Sequence, residues 1–195
     1  MIEIPQKIKE DVLLSLPLIN EIKDEDLKQK VIEAWALSLY LNDYSTIEEI
    51  PGSGRPGGPV KGTQTDHILG VTKIALNMLD ILEDQYNDSL GVDRDILIAA
   101  GLCHDLGKPF EYSPKNRERW DSDPRISGRP ALRHTLYGVH IALTVGLPEA
   151  IAHSCGCHSP EGELVERSLS NTIVHFADES WWGILNIAHN WDMIK

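Results

Sequence analysis

Six ionisable residues, His67, His104, Asp105, His134, His158 and Asp178, stand where a helical pattern calls for apolar ones. Val71, Ile74, Met78 and Ile81 follow the three-and-four spacing of a core stripe, and four residues back from Val71 lies His67. Ile96, Ala100 and Cys103 form a second stripe, which ends beside His104. Val145, Ile141 and Gly138 lead back to His134, while Ile151 and Cys155 lead forward to His158. Val174, Trp181 and Leu185 share a face with Asp178. Each buried polar group left without a partner costs about 1–3 kcal/mol, and an unpaired carboxylate costs more. Together they would consume a typical stability of about 5–15 kcal/mol, so something must satisfy them jointly. A metal centre does so. Histidine nitrogens mixed with carboxylate oxygens suit Mn, Fe, Co, Ni or Zn better than an all-oxygen magnesium site.

His104 and Asp105 are adjacent, and consecutive helical residues point about 100° apart. The stretch "DILIAAGLCHDLGKPF" ends at Gly107 and Pro109, so both side chains can turn toward one ion at a relaxed terminal turn. A carboxylate at that position can also bridge two ions.

The elements that must position these groups read as helices throughout, and strand alternation is nearly absent. Two amphipathic helices are expected in "PQKIKEDVLLSLPLINEI" and "DEDLKQKVIEAWALSLYL", the second opened by acids that favour a helix start. Further helices are expected at about 65–86, 93–105, 131–146, 148–158 and 170–187, with irregular chain over the proline-bearing stretch 107–130. The fold class is all-α, a helical bundle in one domain over residues 1–195. A chain of 195 residues can bury roughly 70% of its unfolded surface.

A net charge of −12 opposes a nucleic-acid polymer as partner, yet leaves room for a local site for a small anion. No apolar run long enough to span a membrane is present. The start "MIEIPQKIKEDVLL" lacks the features of a secretory signal. Three cysteines form no disulfide framework, which fits a reducing cytoplasm. Basic residues gather between His104 and His134 (Lys108, Lys115, Arg117, Arg119, Arg125, Arg129, Arg133), with Glu111, Glu118, Asp121 and Asp123 interspersed. A solvated loop and an anion site both fit that mixture.

Several motifs fail on context. Gly52, Gly54 and Gly57 spell G-x-G-x-x-G, but no strand precedes them and Pro56 and Pro59 interrupt any following helix. Gly107-Lys108 is followed by Pro109 rather than Ser or Thr, so it is no Walker loop. The cluster "HSCGCH" has no second ligand pair elsewhere to complete a structural zinc site. His140 and His189 read as ordinary histidines, His175 as a neighbour of Asp178, and Trp181 and Trp182 as core.

The ordered set His67, His104-Asp105 and Asp178, with "LCHDLGKP" and "IVHFADES", resembles the HD superfamily of metal-dependent phosphohydrolases over roughly residues 60–187. Residues 1–50 form an N-terminal helical extension outside the resemblance. The resemblance implies one divalent ion on those four residues. "LRHTLYGVHIALTVGLPEAIAHSCGCHSPEGE" is similar to the segment that supplies a second ion in two-metal members, with His134 and His158 at the matching places. His153 is a rival, though its helix neighbours Glu149 and Cys157 make a less apolar line. Ser159 and Pro160 stand where cyclic-dinucleotide diesterases carry a histidine and an acid, which argues against that substrate. The implied reaction is attack of a metal-activated hydroxide on a small phosphate ester or nucleotide, with Asp105 bridging and Lys108 neutralising charge. Arg125, Arg129 and Arg133 are candidate clamps for phosphoryl oxygens. Competing readings are a diiron oxygenase cleaving a C–P or C–C bond, a hydrolase of a non-phosphate bond, and a ligand sensor without catalysis. The sequence leaves oligomeric state open.

Overall fold

A computed structural model describes residues 3–191, so the one-domain expectation over 1–195 runs outside the described residues at both ends. The N-terminal segment forms α1 (Gln6–Ser15), a 3-10 turn at Pro17–Glu21 and α2 (Glu25–Leu41). One continuous helix was expected up to Ile22. It breaks because Pro17 has no amide hydrogen to donate and its ring would collide with the preceding turn. Asp24 caps α2 by accepting from the amides of Asp26 and Leu27.

A glycine-rich loop then leads to α3 (Gln64–Tyr86), followed by α4 (Arg94–Cys103). The buried face of α3 is Ile68, Val71, Thr72, Ala75 and Leu79, whereas Ile81, expected in the core stripe, is 64% exposed. The stretch 107–130 is more ordered than expected, carrying α5 (Lys108–Tyr112), α6 (Pro114–Ser122) and α7 (Pro124–Ser127). Its prolines start helices rather than break them. Pro114 and Pro124 each occupy a first helical position, where the missing amide costs nothing. The last helices are α8 (His134–Thr144), α9 (Glu149–Cys157) and α10 (Leu169–Ala188). Among the described residues the only strand-like pairing is one isolated bridge, Pro51 with Thr63, so the molecule is an all-α bundle. Among the described residues no helix is long and apolar enough to cross a membrane.

The bundle is built around α4. Every residue from Leu97 to Cys103 is buried, as expected of a helix apolar on all sides, and α2, α3, α9 and α10 pack against it. Such a helix must end inside the protein, where its last carbonyls cannot reach water. The fold satisfies them one by one. Gly101 O accepts from His104 Nδ1 at 2.7 Å, Leu102 O from Trp35 Nε1 at 2.9 Å, and Cys103 O from the Leu106 amide at 3.0 Å. Ser38 Oγ donates to Leu106 O at 2.6 Å. Trp35 and Ser38 both lie on α2, so the N-terminal extension helps hold the His104-Asp105 turn.

At the end of that turn, Gly107 packs against the start of α8. A Cβ there would lie 1.9 Å from His134 O and 2.7 Å from His134 Cα. Backbone atoms cannot give way as a side-chain end can. Gly107→Ala is therefore expected to cost about 3 kcal/mol, the upper end of ordinary overpacking, read as a lower urea midpoint.

Candidate metal centre

Five helices deliver the six residues to one place. His67 lies in the first turn of α3, His134 opens α8, His158 follows the last residue of α9, and Asp178 lies mid-way along α10. His104 and Asp105 follow the last residue of α4, in the turn anticipated from Gly107. All six are buried, the most accessible being Asp178 at 8%.

Asp105 is the hub. Its Oδ2 lies 3.3 Å from His67 Nε2 and 3.6 Å from His104 Nε2, while its Oδ1 lies 3.3 Å from His134 Nε2 and 3.5 Å from His158 Nε2. Each carboxylate oxygen thus faces its own pair of imidazoles. Within the pairs, Nε2 to Nε2 is 3.1 Å for His67 with His104 and 3.4 Å for His134 with His158. Asp178 Oδ1 joins the first pair, 3.4 Å from His67 Nε2.

Hydrogen bonds on the far side of the rings fix the tautomers. Nδ1 of His104 donates to Gly101 O, and Nδ1 of His134 donates to Glu111 Oε2 at 2.5 Å. Nδ1 of His158 faces the carbonyls of Ser154 and Cys155 at 3.0 and 3.1 Å. With Nδ1 protonated, each Nε2 presents a lone pair toward the others and toward Asp105. Burial pushes the His104 pKa down to about 4 and lowers that of His134, so both are neutral at pH 7. Burial also opposes protonation of His158, but the Asp105 carboxylate 3.5 Å away outweighs it and raises its pKa. Burial disfavours the Asp105 anion too, yet Lys108, His104 and His134 more than offset it and hold the carboxyl well below its usual range. Neutral His104 and His134 beside an ionised Asp105 are in the protonation states that ligate cations.

The donor set fits divalent transition metals. Asp105 Oδ1 and Asp178 Oδ1 are buried with no hydrogen-bond partner, and Nε2 of His104 and of His134 turn toward the same space. Within this cluster His67, His104 and Asp105, then His104, His158 and Asp178, then Asp105, His134 and His158 each form a triplet compact enough to hold an ion. Nitrogen and oxygen donors in this mixture suit Mn, Fe, Co, Ni or Zn.

Several supporting residues escaped the sequence reading. Gln64, three residues before His67 and therefore on the same helical face, donates to Asp105 Oδ2 at 2.6 Å. Glu111, counted beforehand among loop acids, is buried and holds His134. Burial would raise its pKa, but His134, Lys108 and Arg133 pull it down to about 2. Carboxylate partners of ligating histidines fix ring orientation, so Glu111→Gln is expected to weaken metal binding at His134 about 10- to 100-fold, measured by competition with a chelator. The glycine-rich loop closes the other side. Lys108 Nζ, buried, donates to Gly54 O at 3.0 Å, and Tyr112 Oη donates to Ser53 O at 2.9 Å. The loop's G-x-G-x-x-G thus leads through a turn to α3 with no preceding strand. Trp182, expected in the core, instead lies half-buried with its ring centroid 5.0 Å from that of His67.

Of the other candidates, Lys108 lies 4.0 Å from Asp105 Oδ1. Arg133 Nη1 is 3.8 Å from Glu111, with Nε 2.9 Å from Glu161, and Arg129 pairs with Asp121 at 2.7 Å. Arg133 and Arg129 line a cavity beside the cluster, whereas Arg125 is exposed on α7 and does not. His175 Nδ1 donates to His158 O and so steadies the backbone of that histidine. His153 points elsewhere, accepting from the Ser168 amide, and His189 faces Lys61 at the surface. The cysteines do not converge with either histidine of "HSCGCH", since Cys155 Sγ donates to Cys103 O.

Residues 65–180 match the family model for the HD domain. A dihydroneopterin 2',3'-cyclic phosphate phosphodiesterase of Methanocaldococcus jannaschii is 32% identical over 179 residues, an alignment covering 85% of this chain. It covers 66% of that relative, so this chain spans just under two thirds of its length. No solved structure matches the chain.

Proposed function

Because the chain belongs to the HD-domain family, we propose that it is a metal-dependent phosphohydrolase acting on a small phosphate ester, with His67, His104, Asp105, His134, His158 and Asp178 as its metal ligands. The observation carrying this reading is the division of labour on Asp105, one oxygen facing each imidazole pair, which is the arrangement a carboxylate needs to bridge two ions. Bound divalent ions would supply a water acidified toward neutral pH and positive charge against the developing phosphoryl charge.

The chain's own residues then have distinct tasks. Lys108 places a fixed positive charge beside the cluster. Burial opposes its protonation, but Asp105 and Glu111 raise its pKa, so it stays cationic and can attract phosphoryl oxygens. Gln64 and Glu111 orient Asp105 and His134, which spares reorganisation when substrate arrives. Trp182 and the Ser53-Gly54 segment cover the His67 side and restrict water there.

The relative from Methanocaldococcus jannaschii is named for a 2',3'-cyclic phosphate, so five-membered cyclic phosphodiesters are the first substrates to try. Hydrolysis adds one water across a ring P–O bond and yields a monoester and a free hydroxyl. The chain loaded separately with Mn, Fe, Co, Ni or Zn is expected to convert such a diester to monoester, followed by ³¹P NMR. A chain that binds metal at the cluster yet hydrolyses no phosphoester, cyclic or linear, would overturn the reading.

A further inference from the structure

A cavity of about 330 Å³ opens beside the metal ligands, and its lining is out of character for a chain of net charge −12. Four arginines, Arg55, Arg117, Arg129 and Arg133, surround it, against two carboxylates, Glu111 and Asp121. Both carboxylates are already engaged. Asp121 pairs with Arg129, while Glu111 accepts from His134 and faces Arg133, whose Nε is taken by Glu161. Arg55 and Arg117 have no carboxylate within 4.0 Å among the described residues, which leaves two arginines lining one cavity without counter-charge.

The cavity also adjoins the cluster. Glu111 forms part of its wall and is hydrogen-bonded to His134, so the cavity begins one side chain from the ligand set. Arg55 and Arg133 line a second, smaller pocket as well, which reaches Trp182 against His67. The two arginines therefore line both pockets, one bounded by Glu111 and the other by Trp182. Arg55 comes from the glycine-rich loop, giving that loop a role in addition to closing the site. The aromatic wall, Trp120, is 3% exposed, so the cavity has a fixed floor.

We infer that this cavity is a subsite for a second anionic group on the substrate, a phosphate or carboxylate remote from the ester bond that is hydrolysed, held by Arg55 and Arg117 with Arg129 and Arg133 beside them. Guanidinium groups suit such a ligand because their paired N–H donors match two oxygens of a carboxylate or phosphate. The inference deepens the phosphohydrolase reading, and a substrate with a lone cyclic phosphate would leave the cavity unused.

Binding rather than turnover tests it, with probes that hydrolysis cannot consume. Alkane bisphosphonates of two to five carbons are titrated calorimetrically into the metal-loaded chain, each against the monoalkyl phosphonate of equal length. The best-matched bisphosphonate is expected to bind about tenfold more tightly than its partner. In the Arg55→Gln/Arg117→Gln double variant that ratio is expected to fall to about twofold or less, while Arg117→Lys, which keeps the charge but not the fork, is expected to lie between. No preference at any length, or a preference that survives in the double variant, overturns the subsite. A chain that hydrolyses no phosphoester but shows the preference and loses it in the variant would refute the hydrolase reading and leave the subsite standing.

Discussion

Asp105→Asn is expected to lower kcat/KM by about 10³-fold or more while leaving the bundle folded. The amide is nearly isosteric, so packing changes little. What it removes is the one charged group in contact with all four imidazoles. The amide nitrogen would also present hydrogens where lone pairs are required. One face or the other of the substituted side chain must point N–H donors at either His67 and His104 or His134 and His158. Both ion positions therefore suffer together, and chelator competition should show loss of affinity at each. Steady-state kinetics with circular dichroism as a fold control make the measurement. A variant within tenfold of the native rate would remove Asp105 from the centre of the chemistry.

The second large effect separates the two halves of the cluster. His134→Ala with His158→Ala is expected to reduce bound metal from two ions per chain to one, and to lower kcat about 10²- to 10³-fold. His67, His104, Asp105 and Asp178 remain as a complete four-residue set on the other side. The double variant leaves a cavity next to Asp105, so its thermal midpoint must be followed alongside metal content. Unchanged stoichiometry with both imidazoles gone would mean that His134 and His158 serve packing alone.

The six residues of the cluster could be read from sequence because each interrupts an apolar stripe, and a buried imidazole or carboxylate must be answered by something. The reading failed where polarity was in character. Glu111 looks like one loop acid among several if the four prolines of 107–130 are read as breakers, but three of them, Pro109, Pro114 and Pro124, sit in the opening positions of a helix. With α5 and α6 in place, Glu111 turns inward to His134. Gln64 carried a usable signal, one turn before His67 on the same face, but glutamine at a helix start is ordinary. Trp35 reaches a carbonyl of α4 and Ser38 one in the turn after it, 67 and 68 residues away, and no local pattern encodes a contact of that span. Arg55 lay in a glycine-rich loop whose motif was dismissed for phosphate binding. The dismissal of a dinucleotide fold holds, and the arginine's position beside the centre follows only from how the loop folds back over Lys108.

Metal content per chain bears most directly on the central idea that imidazoles and acids from separate helices share cations around Asp105. Anaerobically purified, reconstituted protein is passed through a desalting column and analysed by inductively coupled plasma mass spectrometry. Two tightly held transition-metal ions per chain are expected, falling below one in Asp105→Asn. Retention of less than about a tenth of an ion per native chain, or equal retention by Asp105→Asn, would contradict it.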